Sequence, residues 1–418
     1  ATPGAMRVIF LTQYFPPEVG APQNRIHATA VALKAKGADV TVLTAMPNYP
    51  EMRVHAGYRG RWKMEERIDG LRVIRAWLLV TVKRGVFWRL CNYFSFVFSS
   101  LVIGLLHTRR SDVLFVESPP LFLGITAMLL ARAKRAKLVF NVSDLWPESA
   151  VQLGLVNNKA MIWVSTRLEM RCYRRAALIT GQTQGIVRDI TRRCPDKRVC
   201  WIPNGVDFAA MTAASQGPPD RSKLNALGIG GEATVFAYAG IIGHAQGLEV
   251  VIQAARELRG KDIHFLLVGD GPERERLRAL KAQLDPVNVH FVDKMPRAEL
   301  IGLLRTVDGV VVPLRKNDLF KGAIPSKIFE ALALEKPLLL GVEGEARDLF
   351  ITEGRAGLAF TPEDAADLAR QAMRYAGDRA LMQEHGANGL RYAHERFDRT
   401  RISERLWEEL LAIQPSRT

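Results

Sequence analysis

The sequence predicts an α/β protein made of two successive doubly wound units. Three observations carry that prediction: a strand, helix, strand opening, a restart of the same alternation after Pro203, and a length of 418 residues, which exceeds one ordinary domain. Hydrophobic residues make up 48% and charged residues 24%. That composition excludes wholesale disorder, a fibrous protein and a small disulfide-stapled module.

Each element follows from local pattern. Arg7–Thr12 is a short apolar strand, a Pro and Gly loop runs from Pro16 to Pro22, and Arg25–Lys36 has helical periodicity that Gly37 ends before the strand Val40–Leu43. Further strands are expected at Leu71–Arg75, Val113–Val116, Leu138–Val142, Ala177–Thr180 and Arg198–Ile202, most of them separated by helix-length segments. Such spacing favours a mainly parallel sheet covered on both faces. After Pro203 come strands Val235–Ala239, His264–Val268, Val289–Phe291, Gly309–Pro313 and Pro337–Gly341. They alternate with helices Leu248–Leu258, Glu273–Ala282, Arg297–Leu304 and Pro325–Leu334, ahead of a polar, helix-rich tail. The expected division is 6–203, 204–395, and a terminal helix 396–418 that packs back on the first domain, with a crevice between the domains.

Charge is distributed unevenly. Residues 1–200 carry a net +17 and residues 201–418 a net −2, within a total of +15. A basic half serves nucleic acid, an anionic bilayer or phosphorylated ligands through the same long-range attraction. Nucleic acid is not expected, because no reading helix or base-stacking platform accompanies the charge. Val86–Leu106 has the length of a membrane span, but Arg89, Asn92, Ser95, Ser99 and Ser100 interrupt it. Its alternatives are a span, a buried domain helix, and an amphipathic helix seated in one leaflet. Flanking Lys83, Arg84, Arg109 and Arg110 suit anionic headgroups in the last case. Cys91, Cys172, Cys194 and Cys200 form no CxxC pair and read as reduced thiols, which fits the cytoplasm. No secretory leader is evident, and Ala1–Ala5 ahead of Met6 reads as a remnant.

Five segments are placed to carry chemistry. The loop Tyr14-Phe-Pro-Pro-Glu-Val-Gly-Ala-Pro22 follows the first strand without a dinucleotide GxGxxG; Gly20 either lets a phosphate or sugar approach the backbone or serves a tight crossover. Asp144-Leu-Trp-Pro-Glu-Ser149 follows another strand, where open sheets place ligands. Asp144 and Glu148 are suited to sugar hydroxyls or developing positive charge, with Trp146 as an apolar wall, or else to capping and first-turn charge on a helix. Ile202-Pro-Asn-Gly-Val-Asp207 is a turn that reads as a hinge or interdomain wall. In Ala239-Gly-Ile-Ile-Gly-His-Ala-Gln-Gly247 three glycines and exposed amides lead into a helix and could receive a diphosphate. No histidine or carboxylate stands at a metal-ligand interval from His244. The fifth segment, Pro313 to Glu330, places Lys327 in the first turn of a helix, where a cation is unfavourable unless an anion compensates it. Glu330, three residues on, can share that face and accept bonds from a ribose diol, or the two form a surface pair.

Together the motifs YFPPE…G, DLWPES, IPNGVD, GxxGxAQG and PSKxFEALA resemble the retaining glycosyltransferases of family 4, with the GT-B fold of two Rossmann-like domains facing across a crevice. They are most similar to the bacterial N-acetyl-L-fucosamine transferase-like branch of surface-polysaccharide assembly, over nearly the whole chain. The resemblance implies donor binding by Gly243, His244, Gln246, Arg315, Lys321, Ser326, Lys327 and Glu330, acceptor binding by Glu18, Gly20, Arg25, Trp146 and Glu148, and catalysis by Asp144 and Lys327. Glu330 matches the later carboxylate of the family's E-x7-E element. Gly322 stands where the earlier one belongs, and the Pro325-Ser326-Lys327 turn is the expected substitute.

The implied reaction moves an N-acetylated hexosamine, with UDP-N-acetyl-L-fucosamine the leading donor, to a polyprenyl-diphosphate-linked saccharide. Configuration is retained and no catalytic metal or other cofactor takes part. The expected setting is the cytoplasmic face of the membrane, on an anionic surface. A UDP-sugar epimerase and an inactive sugar-nucleotide-binding or membrane scaffold are the alternative readings.

Overall fold

The computed structural model describes residues 5–414 except 19, 50, 51, 82–85, 153–157 and 220. Lys83 and Arg84, expected beside the apolar helix, lie outside the described residues. The chain forms two compact units, one running to Asn204 and including Ile402 onward, the other Gly205–Arg401. The first boundary therefore falls inside the Ile202 to Asp207 turn.

The first unit holds β1 (Arg7–Leu11), β2 (Asp39–Ala45), β3 (Lys63–Ile68), β4 (Leu71–Ala76), β5 (Val113–Ser118), β6 (Lys137–Val142), β7 (Leu178–Gly181) and β8 (Val199–Trp201). Their order in the sheet is β3-β4-β2-β1-β5-β6-β7-β8. All neighbours are parallel except the β3–β4 hairpin, and Val8 pairs with Val40 on one side and Val113 on the other. Apolar runs such as Val113–Val116 are buried throughout, as strands covered on both faces must be. The sequence did not predict β3. Its Lys-Met-Glu-Glu-Arg-Ile run is polar because it forms a half-exposed sheet edge. The first helix spans Ala21–Ala35, four residues longer at its start than periodicity predicts, because Pro22 occupies its first turn. Ile402, Leu406 and Leu410, on the helix Arg399–Ala412, are buried among Val8, Val40, Val73 and Ile202 of the first unit's core.

The second unit holds β9 (Thr234–Ala239), β10 (Ile263–Val268), β11 (Val289–Val292), β12 (Gly309–Pro313), β13 (Leu338–Gly341) and β14 (Gly357–Ala359), in the order β11-β10-β9-β12-β13-β14 and all parallel. β14 is three residues long, too short for a periodicity signal. In each unit the strand order reverses beside the first strand, between β1 and β5 and between β9 and β12. Open α/β sheets bind ligands outside the carboxyl ends of the strands at such a reversal. The loops after β1, β6, β9 and β12 carry the candidate residues.

Candidate functional site

In the second unit the site grows from β9. Tyr238, fully buried, donates its hydroxyl to the Ile241 carbonyl at 2.5 Å and receives a bond from the Lys327 amine at 3.3 Å. The Lys327 nitrogen also lies 4.6 Å from the centre of the Tyr238 ring. Lys327 opens the helix Lys327–Ala333. Loss of water around the amine pulls its pKa down to about 8, against a smaller upward pull from Glu330. Among the described residues no carboxylate pairs with it, because Glu330 bonds Arg297 at 2.7 Å instead. A desolvated cation is thus held without a counter-ion at the end of the central strand.

The backbone beside Lys327 is packed tightly. Gly240 has φ 144°, and a Cβ there would lie 3.5 Å from the Lys327 nitrogen. Gly269, at φ 137°, abuts the Gly240 carbonyl so closely that a Cβ would collide with it. Ile242 N–H donates to the Asp270 carbonyl at 2.9 Å and joins the loops after β9 and β10. Gly243 precedes a short turn formed by His244–Gln246; His244 is exposed and Gln246 half-buried. Arg315 braces this loop from beneath. Its backbone N–H reaches the Ala245 carbonyl at 2.9 Å, its Nε the His244 carbonyl at 2.7 Å, and its terminal nitrogens Glu249 at 2.5 Å and Glu363 at 3.1 Å. With its guanidinium so engaged, Arg315 is a positioning residue. Lys321 is exposed and pairs with Asp318 at 2.7 Å, and Ser326 is exposed beside Lys327. Gly322 faces open space.

In the first unit, the helix that starts after Gly20 sets Arg25 at the ends of β5 and β6. The guanidinium bonds Glu117, the Ser143 hydroxyl at 2.8 Å and the Asn204 side chain at 3.3 Å. Glu117 also accepts from Ser143 and from Asn141 at 2.5 Å, and Asn141 accepts from Thr180 at 2.6 Å. Asn204 of the predicted wall and Arg25 are therefore brought together. Glu18 is buried and fully used by the backbone: one oxygen accepts from the N–H groups of Asn48 and Tyr49 at 2.8 Å each, the other from Phe15 at 3.2 Å. It clasps two loops, which makes it a positioning residue. Gly20 has an extended φ of 175°, open to any residue, and a Cβ there would meet only the end of the flexible Gln23 side chain.

Asp144 is solvent-exposed, yet desolvation by surrounding protein raises its carboxyl pKa against bonds from Ser149 and the Leu145 N–H. Trp146 is half-buried edge-on to Phe122, with ring centres 5.5 Å apart. Glu148 is exposed and lies 3.6 Å from Arg193; desolvation, and then Glu169, raise its pKa. Sequence reasoning passed over Tyr238, Gly269, Glu117 and Asn141. The Gly-Asp-Gly turn 269–271 and the polar ends of β5 and β6 were the available signals.

The apolar segment forms the helix Val86–His107. It is the one helix among the described residues long and apolar enough to cross a membrane. Asn92, Ser95 and Ser99 face inward, while Arg89 and His107 are exposed: Asn92 bonds Gln13 and the Leu79 carbonyl at 2.8 Å each, Ser95 accepts from the Leu79 N–H at 2.8 Å, and Ser99 bonds the Trp77 carbonyl. Phe96 and Ile103 are buried, while Phe87, Phe98 and Leu106 are 68%, 62% and 72% exposed. The helix Leu123–Lys134, which exposes Leu129, packs against it and against the helix Lys159–Arg175, which exposes Trp163 and Val164. The first unit thus presents apolar side chains on three helices.

Residues 20–205 match the family model of the glycosyl transferase 4-like domain, and residues 220–391 that of glycosyl transferases group 1. Over 380 residues the chain is 25% identical to WcaI of Escherichia coli K12, named for a glycosyl transferase of colanic acid biosynthesis, covering 88% of this chain and 91% of that protein. Among solved structures it is similar to sucrose-phosphate synthase from Thermosynechococcus elongatus, with a TM-score of 0.74 at 18% identity over 97% of this chain and 99% of that one. HepE of Anabaena, solved in complex with UDP-glucose, gives a TM-score of 0.70 at 18% identity over 97% and 100%. At such identities the structural likeness speaks to fold.

Proposed function

The chain is a GT4-type glycosyltransferase of the GT-B fold, in an enzyme class that uses nucleotide sugars and serves polysaccharide biosynthesis, and from that premise we propose its donor, acceptor and setting. The donor is a UDP-N-acetylhexosamine, with the L-fuco sugar as leading case, and the acceptor a polyprenyl-diphosphate-linked saccharide. The observation that carries the donor assignment is Lys327, a desolvated amine beside the Gly240 backbone that has no carboxylate partner among the described residues. A nucleotide diphosphate supplies the missing anion. HepE, of the same fold, binds UDP-glucose, which supports a UDP donor here.

In the proposed reaction the acceptor hydroxyl oxygen bonds the anomeric carbon on the face from which the β-phosphate departs. The carbon–phosphate-oxygen bond breaks, the hydroxyl proton passes to the leaving phosphate, and UDP leaves with the configuration retained. Lys327 and the amides of the 240–247 loop hold the growing phosphate charge, a contribution of about 3 to 4 kcal/mol for one such contact in a closed site. Glu330 is assigned to the ribose, which would share it with Arg297. Gly322 leaves the room that an acidic side chain would take, so no earlier carboxylate contacts the sugar there. The charge stabilisation is cationic and amide-based, and turnover in a chelator is the expected result. Asp144, Trp146 and Glu148 are assigned to the acceptor in the first unit, where the three exposed helix faces and the basic surplus support seating on an anionic membrane.

The test is a panel of UDP-N-acetylhexosamines incubated with the protein and polyprenyl-diphosphate sugars, with lipid-linked product followed by mass. A one-sugar increase that requires acceptor and persists in EDTA is expected. An isomerised UDP-sugar without acceptor would make the protein an epimerase. Binding of both substrates without product would make it a scaffold.

A further inference from the structure

At the amino ends of β1 and β2, opposite the strand ends that carry the candidate site, the first unit has a cavity of about 520 Å³. Five cations line it: Arg7, Lys34, Arg67, Arg72 and Arg109, against the carboxylates Asp39 and Glu65. Part of that charge is already committed. Arg72 holds Glu65 through two bonds of 2.6 and 3.2 Å, and Arg7 lies 3.9 Å from Asp112. Lys34, Arg67 and Arg109 are exposed, and none has an ion pair with a described residue. They come from three separate elements, the first helix, the β3 edge and the segment after the helix Val86–His107. Gly70, at φ 73° in the turn between β3 and β4, lies beside the Lys34 amine.

Cations on independent elements repel one another unless an anion sits among them, and a concave wall concentrates their field. We propose that this cavity binds a phosphate group, as a second anion site separate from the donor site and independent of the transferase reading. Arginine suits the part because its planar fork meets phosphate oxygens in pairs. Arg109 lies two residues beyond the helix whose last turn exposes Leu105 and Leu106. Two sources share this chemistry: the headgroup of an anionic lipid, and a soluble phosphate ester.

The experiment is calorimetric titration of the full chain with pyrophosphate while UDP is saturating. Wild type is expected to bind pyrophosphate under that condition. Arg67→Gln/Arg109→Gln is expected to bind it roughly tenfold or more weakly, the loss of charged hydrogen bonds, with unchanged melting temperature and UDP affinity. No binding by wild type, binding only when UDP is absent, or equal binding by the double variant overturns the proposal. Lys34→Gln supplies an independent second variant, expected to weaken binding in the same direction. Flotation with phosphatidylcholine vesicles, with and without phosphatidic acid, separates the sources. Loss of phosphatidic-acid-dependent flotation in the double variant, with wild-type flotation reduced by excess pyrophosphate, identifies the headgroup. Retained flotation with weakened pyrophosphate binding identifies the soluble ester. If UDP fails to bind, the donor reading falls, and the pyrophosphate comparison still decides this site.

Discussion

Lys327 is charged at neutral pH, but only narrowly, because its amine titrates near 8 where an ordinary lysine titrates at 10.5. Protonated amine attracts diphosphate, so kcat/KM for the donor is expected to fall as pH rises through about 8. Lys327→Ala should lower kcat/KM by about 10² to 10³ and remove that alkaline limb, measured as initial rates across pH. Arg25 makes a different point. Motif position marks it for the acceptor, yet its two terminal guanidinium nitrogens bond Glu117, Ser143 and Asn204 within the unit. Removing one partner of a nearly buried pair strands the other charge, so Glu117→Ala should cost about 3 to 5 kcal/mol, read by denaturant titration. The motif singles out Arg25 in the sequence. Its partner, 92 residues away, was not visible, because long-range side-chain pairing leaves no local pattern.

Elements were legible where they were apolar and periodic. Gly309–Pro313 forms as the run of Val residues predicts, and the strand and helix alternation places the candidate loops at both sheet reversals. Polar or very short strands, β3 and β14, were not legible, because exposure and brevity erase the hydrophobic signal. The helix Val86–His107 was legible in length but not in orientation. Ser95 and Ser99, which interrupt the apolar run, bond the 77–79 segment, and Phe87, Phe94 and Phe98 face outward. A helix held this way can immerse one face without crossing the bilayer. Phe98→Asp/Leu106→Asp is therefore expected to abolish most vesicle flotation while leaving the melting temperature nearly unchanged, since both side chains already face solvent. Undiminished flotation of that variant would remove the membrane seat.

At the scale of the whole molecule, charge and connectivity divide the work. The basic surplus of residues 1–200 belongs to the unit with the apolar helices, while the second half is nearly neutral. On the helix Arg399–Ala412, Ile402, Leu406 and Leu410 complete the first unit's core. Their spacing of four residues is readable as an amphipathic stripe, but the core that receives it is set by tertiary packing alone. Leu406→Ala is expected to cost about 2 to 5 kcal/mol and to act on the first unit's transition in calorimetry. UDP should raise the second unit's transition by mass action.

The most direct test of the central assignment is UDP affinity measured from pH 7 to pH 10 for the wild-type chain and Lys327→Ala. Affinity should weaken for wild type as pH rises through about 8, while the variant binds weakly with no such step. Equal affinity and equal pH dependence in the two proteins would contradict it, and would move the diphosphate away from Lys327.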